Sequence, residues 1–430
     1  MDIPPLSSLW DIRAWYCSDK GIFSYTGVTI MERKKGSALA GLKVLDLGRV
    51  IAGPLAASML ADMGADVIKV ETPKTGDLAR NMLPKKDGIS TYFVVFNRGQ
   101  KGVTLNLKSE EGREILLKMI KDADVLIENF RPGVMKRLGL SYEEVAAVNP
   151  GIIYASVSGY GQEGAYSGRA CFDPVAQAMS GLMSVTGSVD GECVRCGASI
   201  ADVLAAQNTV ICILAALEYR RISGKGQRID ISLLDSCITA LSSINQIYFT
   251  NDKIPRNLGN FFEASAPGNT YPTKSGEMVM ISAGQANAWP KFAHILGHDE
   301  WLEWPEFKNV EDRVRNRKLL DPLIAGETVK FEKEDLLHKL AEVKIAAAPV
   351  QNVAQVANDP YFRDEREMYT DVEHPQLGTV RITNSALKMS ETNPYVRGCA
   401  PLLGQHNEEI YGAMGYTAEQ LQDLKEKGVI

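Results

Sequence analysis

The chain has 430 residues, of which 45% are hydrophobic and 23% charged, and its formal net charge is −6 at pH 7. This composition is typical of a globular protein and excludes collagen-like, coiled-coil and disordered classes, while the length indicates about two or three domains. The negative charge also argues against a nucleic-acid scaffold, because phosphate backbones are bound by broad basic surfaces. A small anionic ligand held by a local cluster of basic residues remains compatible with this composition.

Neither a membrane span nor a secretory leader is expected. The most apolar run, residues 203–217, is interrupted by Gln207 and Asn208, and it is shorter than the roughly 20 residues that cross a bilayer. The N-terminus shows no basic region followed by an apolar one. The seven cysteines are odd in number and scattered, which indicates a reducing compartment. We therefore expect a cytoplasmic protein with no membrane partner.

Residues 1–38 carry no clear periodicity and are predicted to form a loose N-terminal extension. Beyond them, short β-rich runs alternate with stretches of helical periodicity. The predicted strands are 43–47, 67–70, 125–127, 152–157 and 228–232. The predicted helices begin at Pro54, cover 109–120 and 203–222, and include one opened by a capping box at Ser141 and Glu144. This alternation predicts a doubly wound, Rossmann-like α/β domain with a parallel sheet over residues 39–255.

The pattern changes after residue 255. Residues 271–273 and 278–282, separated by the turn sequence Lys-Ser-Gly-Glu, are predicted to form an antiparallel hairpin. We expect this hairpin to belong to a smaller α+β domain over residues 256–355. Residues 356–430 are predicted to be a linker and C-terminal helices that return to the large domain, one of them opened by a capping box at Thr417 and Gln420.

Two motifs suggest a cofactor or a metal, but their surroundings do not support either. The G-x-G-x-x-G at Gly159–Gly164 follows a predicted strand, yet loop residues continue after it where a dinucleotide site requires a helix. Cys193 and Cys196 form a single C-x-x-C with no second pair. All five histidines lie beyond residue 290. We therefore predict no metal and no permanently bound cofactor, and a dehydrogenase is the least favoured interpretation.

Two segments are basic and free of acidic residues. The first, residues 96–108, contains Arg98, Lys101 and Lys108, and the second, residues 129–137, contains Arg131. Each is predicted to lie beside the ligand crevice of the sheet, where charge-assisted hydrogen bonds could hold phosphate groups. The alternative is that both segments are ordinary solvated loops.

A series of ordered motifs runs through the chain. They are G-L-K-V-L-D-L at 41–47, I-A-G-P at 51–54, L-A-D-M-G-A-D-V-I-K-V-E at 60–71, E-N-F at 128–130, S-G-Y-G-Q at 158–162, F-D-P-V-A-Q-A-M-S-G at 172–181, G-K-G-Q at 224–227 and P-L-L-G-Q-H at 401–406. With these motifs the chain resembles CoA-transferase family III over residues 40–430. The resemblance implies an interlocked homodimer that exchanges CoA between an acyl-CoA donor and a carboxylic acid acceptor, with CoA as substrate and carrier.

The resemblance also implies the roles of individual residues. The family nucleophile is an aspartate in a loop just before a long helix, and the matching residue is Asp202. Without the resemblance, an aspartate at that place is more often a helix N-cap. The implied CoA contacts are Ile51, Ala52, Leu105, Lys108, Asn129, Phe130, Arg131, Arg137, Phe172 and Asp173.

Two departures from the family pattern and two alternative functions follow from particular residues. Thr72 stands where a basic or polar contact to the purine is expected, so one such contact is predicted to be missing. Residues 260–268 replace a glycine-rich flap, which leaves a non-catalytic CoA-binding subunit as one alternative. The other alternative, a 2-methylacyl-CoA racemase of the same fold, uses a histidine where this chain has Phe172 and therefore lacks one of its two bases.

Overall fold

A computed structural model describes residues 15–17, 23–25, 36–189 and 191–430. Its strands are, in chain order, β1 (Trp15–Cys17), β2 (Phe23–Tyr25), β3 (Lys43–Asp46), β4 (Asp66–Glu71), β5 (Lys85–Lys86), β6 (Ile89–Ser90), β7 (Lys101–Thr104), β8 (Val125–Glu128), β9 (Ile153–Ser158), β10 (Gln227–Ser232), β11 (Gly268–Pro272), β12 (Met278–Ser282), β13 (Ala346–Pro349), β14 (Tyr369–His374) and β15 (Gly378–Thr383). β1 pairs with β2, and most of the predicted extension, residues 1–38, lies outside the described residues.

The α-helices follow the predicted alternation. They are α1 (Ala52–Asp62), α2 (Thr91–Phe96), α3 (Glu110–Lys121), α4 (Val134–Arg137), α5 (Tyr142–Val148), α6 (Asp173–Met179), α7 (Ile200–Ser223), α8 (Leu233–Leu241), α9 (Ser243–Asn251), α10 (Trp289–Leu296), α11 (Val310–Arg315), α12 (Arg317–Thr328), α13 (Lys333–Glu342), α14 (Val353–Asn358), α15 (Asn407–Ala413) and α16 (Ala418–Glu426). The predicted capping boxes at Ser141 and Thr417 are both formed. Within residues 39–255 the sequence did not predict β5, β6, β7, α2, α4, α6, α8 and α9. The three strands and α2, α4 and α6 are only two to seven residues long and carry too little periodicity.

The central sheet has six strands in the order β7-β4-β3-β8-β9-β10, and every neighbouring pair is parallel. The chain therefore starts in the middle of the sheet, proceeds to one edge and then builds the other half. The direction of building reverses between β3 and β8, and ligands of open α/β sheets bind beside the carboxyl ends of the strands at such a point. The predicted parallel α/β sheet is confirmed.

Helices cover both faces of this sheet. Alternate strand residues point to opposite faces, so Val44 and Val67 pack with α1 and α7, whereas Leu45, Leu126 and Tyr154 pack with α3, α5 and the C-terminal helices. Burial on both faces explains why these strands read as continuous apolar runs in the sequence. The carboxyl edge remains open and exposes the loops that follow β3, β4 and β8.

A separate hydrophobic cluster lies in the second half of the chain. The predicted antiparallel hairpin is present as β11 and β12, and β13 adds a third strand beside β12. The buried rings of Trp289, Phe292, Trp301 and Phe307 fill the cluster beneath them. The boundaries of the small domain at residues 256 and 355 stay predictions.

Helix α7 contradicts the expectation that the most apolar run of the chain is too short to cross a membrane. It has 24 residues and is long and apolar enough, by length and composition alone, to cross a bilayer. Core helices meet the same criteria, and one side of α7, including Ala201, Ala205 and Ile213, is buried against α1 and the sheet. One side of α7 therefore packs into the core of this structure, although only 39% of its most apolar 18-residue window is buried.

Half of the first basic segment does not lie at the ligand crevice. Arg98 is buried and forms an ion pair of 2.7 Å with Asp62 of α1. Lys101 begins β7 at the amino end of the strand and pairs with Glu409 of α15. The prediction that Arg98 and Lys101 bind phosphate is therefore wrong, because the chain crosses the sheet between these residues and Lys108.

Candidate active site

Asp202 lies inside the first turn of α7, not in a loop before it. The helix begins at Ile200, and its N-cap is Ser199, whose side chain makes no capping hydrogen bond. Both the predicted loop position and the N-cap alternative for Asp202 are therefore wrong. Its place in the first turn puts the carboxylate at the positive end of the helix dipole, which favours negative charge.

Burial and a second carboxylate determine the acidity of Asp202. Desolvation, followed by the charge of Asp173, raises the pKa of Asp202 to about 7. The charge of Asp202 also contributes, after burial, to raising the pKa of Tyr92 to about 12. The Tyr92 hydroxyl on α2 is therefore protonated at neutral pH and remains a hydrogen-bond donor near this carboxylate. Sequence reasoning did not identify Tyr92, which follows no recognisable site motif.

Asp173 fixes the backbone next to the candidate nucleophile. Its Oδ1 accepts the backbone N–H of Ala201 at 2.7 Å, and its Oδ2 accepts Nε2 of Gln177 at 2.7 Å. Gln177 in turn accepts the backbone N–H of Cys196 at 2.8 Å. The side chains of α6 thus hold both the first turn of α7 and the loop that leads into it, and Asp173 is itself only 4% exposed.

A cavity of about 560 Å³ opens at the carboxyl edge of the sheet, beside β4 and β8. Four cations line it: Arg49, Lys74, Lys108 and Arg131. Among the described residues none of these four forms an ion pair, whereas the acid in the wall, Glu71, is paired with Arg80 at 2.6 Å. We call this space the cationic cavity. Its uncompensated positive charge suits a ligand that carries several negative charges.

The predicted CoA contacts fall into separate groups. The residues in the wall of the cationic cavity are Leu105, Lys108, Phe130 and Arg131. The residues at the reacting end are Phe172, which is 68% exposed, and Asp173. The remaining contacts are Ile51 and Ala52 at the start of α1, and Asn129 after β8. Arg137 is exposed at the end of α4, outside the cavity wall.

A buried charge cluster lies beneath the loop that follows β3. Lys69 Nζ lies 3.5 Å from Asp46 and 3.3 Å from Asp77, and the three side chains are 0–1% exposed. Lys69 Nζ also donates to the carbonyl oxygen of Gly48 at 2.8 Å. Sequence reasoning missed this cluster, although a lysine inside the apolar strand β4 is a usable signal, because buried charges require partners.

The two cofactor motifs have no site around them. After Gly164 the chain continues as a loop to α6, so no helix begins at the glycines. Cys193 is exposed, and Cys196 contributes its backbone N–H to Gln177. Within residues 36–189 and 191–430, and the two short strands before them, no group of His, Cys, Asp or Glu side chains is arranged to hold a metal ion.

Comparison with known proteins adds to this geometry. A sequence profile described as CoA-transferase family III matches residues 39–407. The chain is 34% identical to a succinyl-CoA–D-citramalate CoA-transferase of Chloroflexus aurantiacus over 91% of this chain and 98% of that protein. It is 35% identical to a succinyl-CoA:mesaconate CoA-transferase of Haloarcula hispanica over 88% and 96%. A crystal structure of a CAIB/BAIF family protein from Brucella suis superimposes with a TM-score of 0.80 at 34% identity, covering 88% of this chain and all of that one.

Proposed function

The chain belongs to CoA-transferase family III, and from this premise we propose that it moves CoA from an acyl-CoA thioester to a free carboxylic acid, with Asp202 as the nucleophile. The observation that carries the proposal is the desolvated carboxylate of Asp202, whose pKa is raised to about 7. A carboxylate with this pKa is ionised in roughly half the molecules at neutral pH and is more nucleophilic than one with an ordinary pKa near 4.

The first half of the reaction loads the enzyme. The Asp202 carboxylate attacks the thioester carbonyl, the C–S bond breaks, and CoA leaves as a thiolate while a mixed anhydride forms on Asp202. The thiolate then attacks the aspartyl carbonyl of this anhydride and releases the donor acid as a carboxylate. The product is an aspartyl-CoA thioester. Among the N–H groups of the first turn of α7, those of Ile200 and Ala201 already donate to the Ala198 carbonyl oxygen and to Asp173. The positive end of the α7 dipole therefore supports negative charge on the reacting oxygens.

The second half reverses these steps with another acid. The acceptor carboxylate attacks the aspartyl thioester, releases the CoA thiolate and forms a second anhydride. The thiolate then attacks the acceptor's acyl carbonyl, which yields the new acyl-CoA and frees Asp202. The tight hydrogen bonds of Asp173 to Ala201 and Gln177 support this route, because they hold the first turn of α7 in place through four successive attacks.

We propose succinyl-CoA as the donor and a small dicarboxylic acid as the acceptor. The support comes from the relatives named succinyl-CoA–D-citramalate and succinyl-CoA:mesaconate CoA-transferase, which cover nearly all of this chain. The loop 260–268 carries Phe262, whose side chain is 67% exposed, so it presents a bulky group where the resemblance implies a glycine-rich flap. The acceptor is therefore expected to carry a short carbon chain between its carboxylates.

We also propose that the enzyme is a homodimer of the interlocked type and that it works in the cytoplasm. Apolar side chains stand exposed along α7, α9 and the following loop, and they include Ile222 at 75%, Phe249 at 72% and Ile254 at 80%. Exposed apolar residues in such numbers are typical of a covered interface. The free cysteines among the described residues support a reducing compartment. Light scattering at micromolar concentration is expected to give twice the mass of one chain, and a monomer would contradict the dimer.

Trapping of the loaded enzyme tests the proposed nucleophile. Incubation with succinyl-CoA alone should load one carboxylate, because the first half-reaction needs no acceptor. Hydroxylamine should then convert that residue to a hydroxamate, and peptide mass spectrometry should place the change on Asp202. A hydroxamate on Asp173 instead would refute the assignment. Deuterium exchange at C2 of a 2-methylacyl-CoA, without any acceptor acid, would favour the racemase.

A further inference from the structure

Arg49 is a cavity residue that the sequence did not single out. Its side chain lines the cationic cavity, and Nη2 donates to Oγ1 of Thr72 at 3.2 Å. The guanidinium carbon lies 4.9 Å from the ring centre of Phe130. In the described part of the chain this is its only side-chain hydrogen bond, so further N–H donors of the guanidinium remain open to a ligand.

The backbone of Arg49 is clamped on both sides by one amide. Its N–H donates to Oδ1 of Asn129 at 2.7 Å, and its carbonyl oxygen accepts Nδ2 of Asn129 at 2.8 Å. These bonds join the loops after β3 and β8 at the point where the sheet reverses direction. They depend on the backbone of Arg49 alone, so they survive substitution of its side chain.

The next residue, Val50, shows how firmly this loop is held. Its φ of +67° lies in the left-handed region, which β-branched residues rarely adopt. The Val50 N–H donates to both oxygens of Asp77 at 3.1 Å, and the Gly48 N–H donates to Asp46 at 2.7 Å. With Lys69 on the Gly48 carbonyl, the buried charge cluster holds the loop from below. The backbone that carries Arg49 is therefore fixed, and within the described residues its guanidinium is held by Thr72 and Phe130 alone, which lowers the entropy cost of binding.

We propose that Arg49 binds the 3′-phosphoadenosine half of CoA and provides the cationic contact that Thr72 cannot. A guanidinium is planar and permanently charged, stacks on aromatic rings and forms forked hydrogen bonds to phosphate. It suits a ligand end that combines a purine with phosphates. Lys74, Lys108 and Arg131, the other cations of the wall, make no comparable stack and are exposed. This inference depends on the proposed function only for the identity of the ligand, which is CoA.

The test separates the two halves of CoA. Arg49→Ala and the length-matched Arg49→Gln are compared with wild type using succinyl-CoA, succinyl-pantetheine and adenosine 3′,5′-bisphosphate. Both variants should raise KM for succinyl-CoA and Kd for the bisphosphate by about 10- to 100-fold. KM for succinyl-pantetheine, which lacks the nucleotide, should stay within about twofold. Arg381→Ala, which removes an exposed arginine from the distant β14–β15 pair, is the charge-matched control and should change none of these values.

Three outcomes would overturn the role of Arg49. They are an unchanged Kd for the bisphosphate in both variants, an unchanged KM for succinyl-CoA, and an equal rise of KM for succinyl-pantetheine, which would place Arg49 at the reacting end. Calorimetry of bisphosphate binding requires no turnover. If wild type transferred no CoA but bound the bisphosphate through Arg49, the proposed function would fail and this inference would stand.

Discussion

At the cationic cavity, the loop after β3 is held by side chains of the same chain: Asp46, Lys69, Asp77 and Asn129 all bond its backbone. At the reacting end, Asp173 secures the first turn of α7, but apolar side chains beside it stand in solvent, with Phe172 68% and Val175 42% exposed. The difference is the one expected if a single chain completes the proposed ligand-binding part, whereas the proposed reacting end leaves a surface for a partner. A second copy of the chain is the partner proposed above.

Replacement of the nucleophile should have the largest effect and should leave the cationic cavity intact. Asp202→Asn is expected to lower transfer by on the order of 10³-fold or more, because the amide cannot attack a thioester. CoA should still bind with nearly unchanged Kd, which calorimetry can measure. Asp235→Asn, an exposed aspartate in the first turn of α8, is the matched control. Normal CoA transfer by the Asp202→Asn enzyme would show that Asp202 is not the nucleophile.

The same substitution has a consequence for stability. Folding raises the pKa of Asp202 above its unfolded value of 3.8 to about 7. The unfolded chain therefore loses this proton more readily, and the carboxylate destabilises the folded state progressively between about pH 4 and pH 7. Asp202→Asn removes that penalty. Its free energy of unfolding at pH 8 should exceed that of wild type, and the difference should vanish near pH 4.

Among substitutions near the cationic cavity, one that disrupts the buried charge cluster should have the largest effect on stability. Lys69→Met leaves Asp46 and Asp77 buried without their cation and is expected to lower the free energy of unfolding by about 3–5 kcal/mol. Urea unfolding followed by circular dichroism measures this. Lys43→Met, an exposed lysine at the start of β3, should change stability little. A loss below about 1 kcal/mol for Lys69→Met would show that the cluster does not hold the loop.

Arg137 tests how far the binding site extends beyond the cationic cavity. It is the exposed last residue of α4 and lies outside the wall of that cavity. If its guanidinium bonds a phosphate of CoA, Arg137→Ala should weaken binding of the CoA ester by about 1.5–3 kcal/mol with no loss of stability. Steady-state kinetics with several acyl-CoA donors checks this. A KM that stays the same for all donors would remove Arg137 from the binding site.

The smallest expected effect concerns pH. Asp202 must lose its proton to attack, so the rate of loading should fall below about pH 7. Asp173→Asn removes the second cause of the raised pKa, and the acidic limb should move to lower pH by about one unit or less, since burial persists. One of the two hydrogen bonds of Asp173 is lost in this variant, so kcat falls as well. If the acidic limb of the pH–rate profile does not move, Asp173 positions the first turn of α7 but does not raise the pKa of Asp202.

Local patterns were enough to place most of the fold. The four predicted helices of the sheet domain, α1, α3, α5 and α7, begin within three residues of their predicted starts, because caps and periodicity are short-range signals. The same signals gave wrong expectations for residues whose partners are determined by the arrangement of the sheet. Arg98 and Lys101 looked like phosphate ligands, but one pairs with Asp62 and the other with Glu409, 308 residues away along the chain. Arg49 was overlooked because its partners Thr72 and Phe130 are distant in the sequence.

The sequence by itself determined the alternation of strands and helices, the family and the candidate nucleophile Asp202, because each is written in contiguous residues or ordered motifs. Only the tertiary structure decided the burial, the neighbouring charges and the contacts of those residues. Burial and the neighbouring charge of Asp173 determine the acidity of Asp202, and the crossing from β3 to β8 brings Asn129 against Arg49. Desolvation and charge proximity depend on distances in space, and strand order creates those distances.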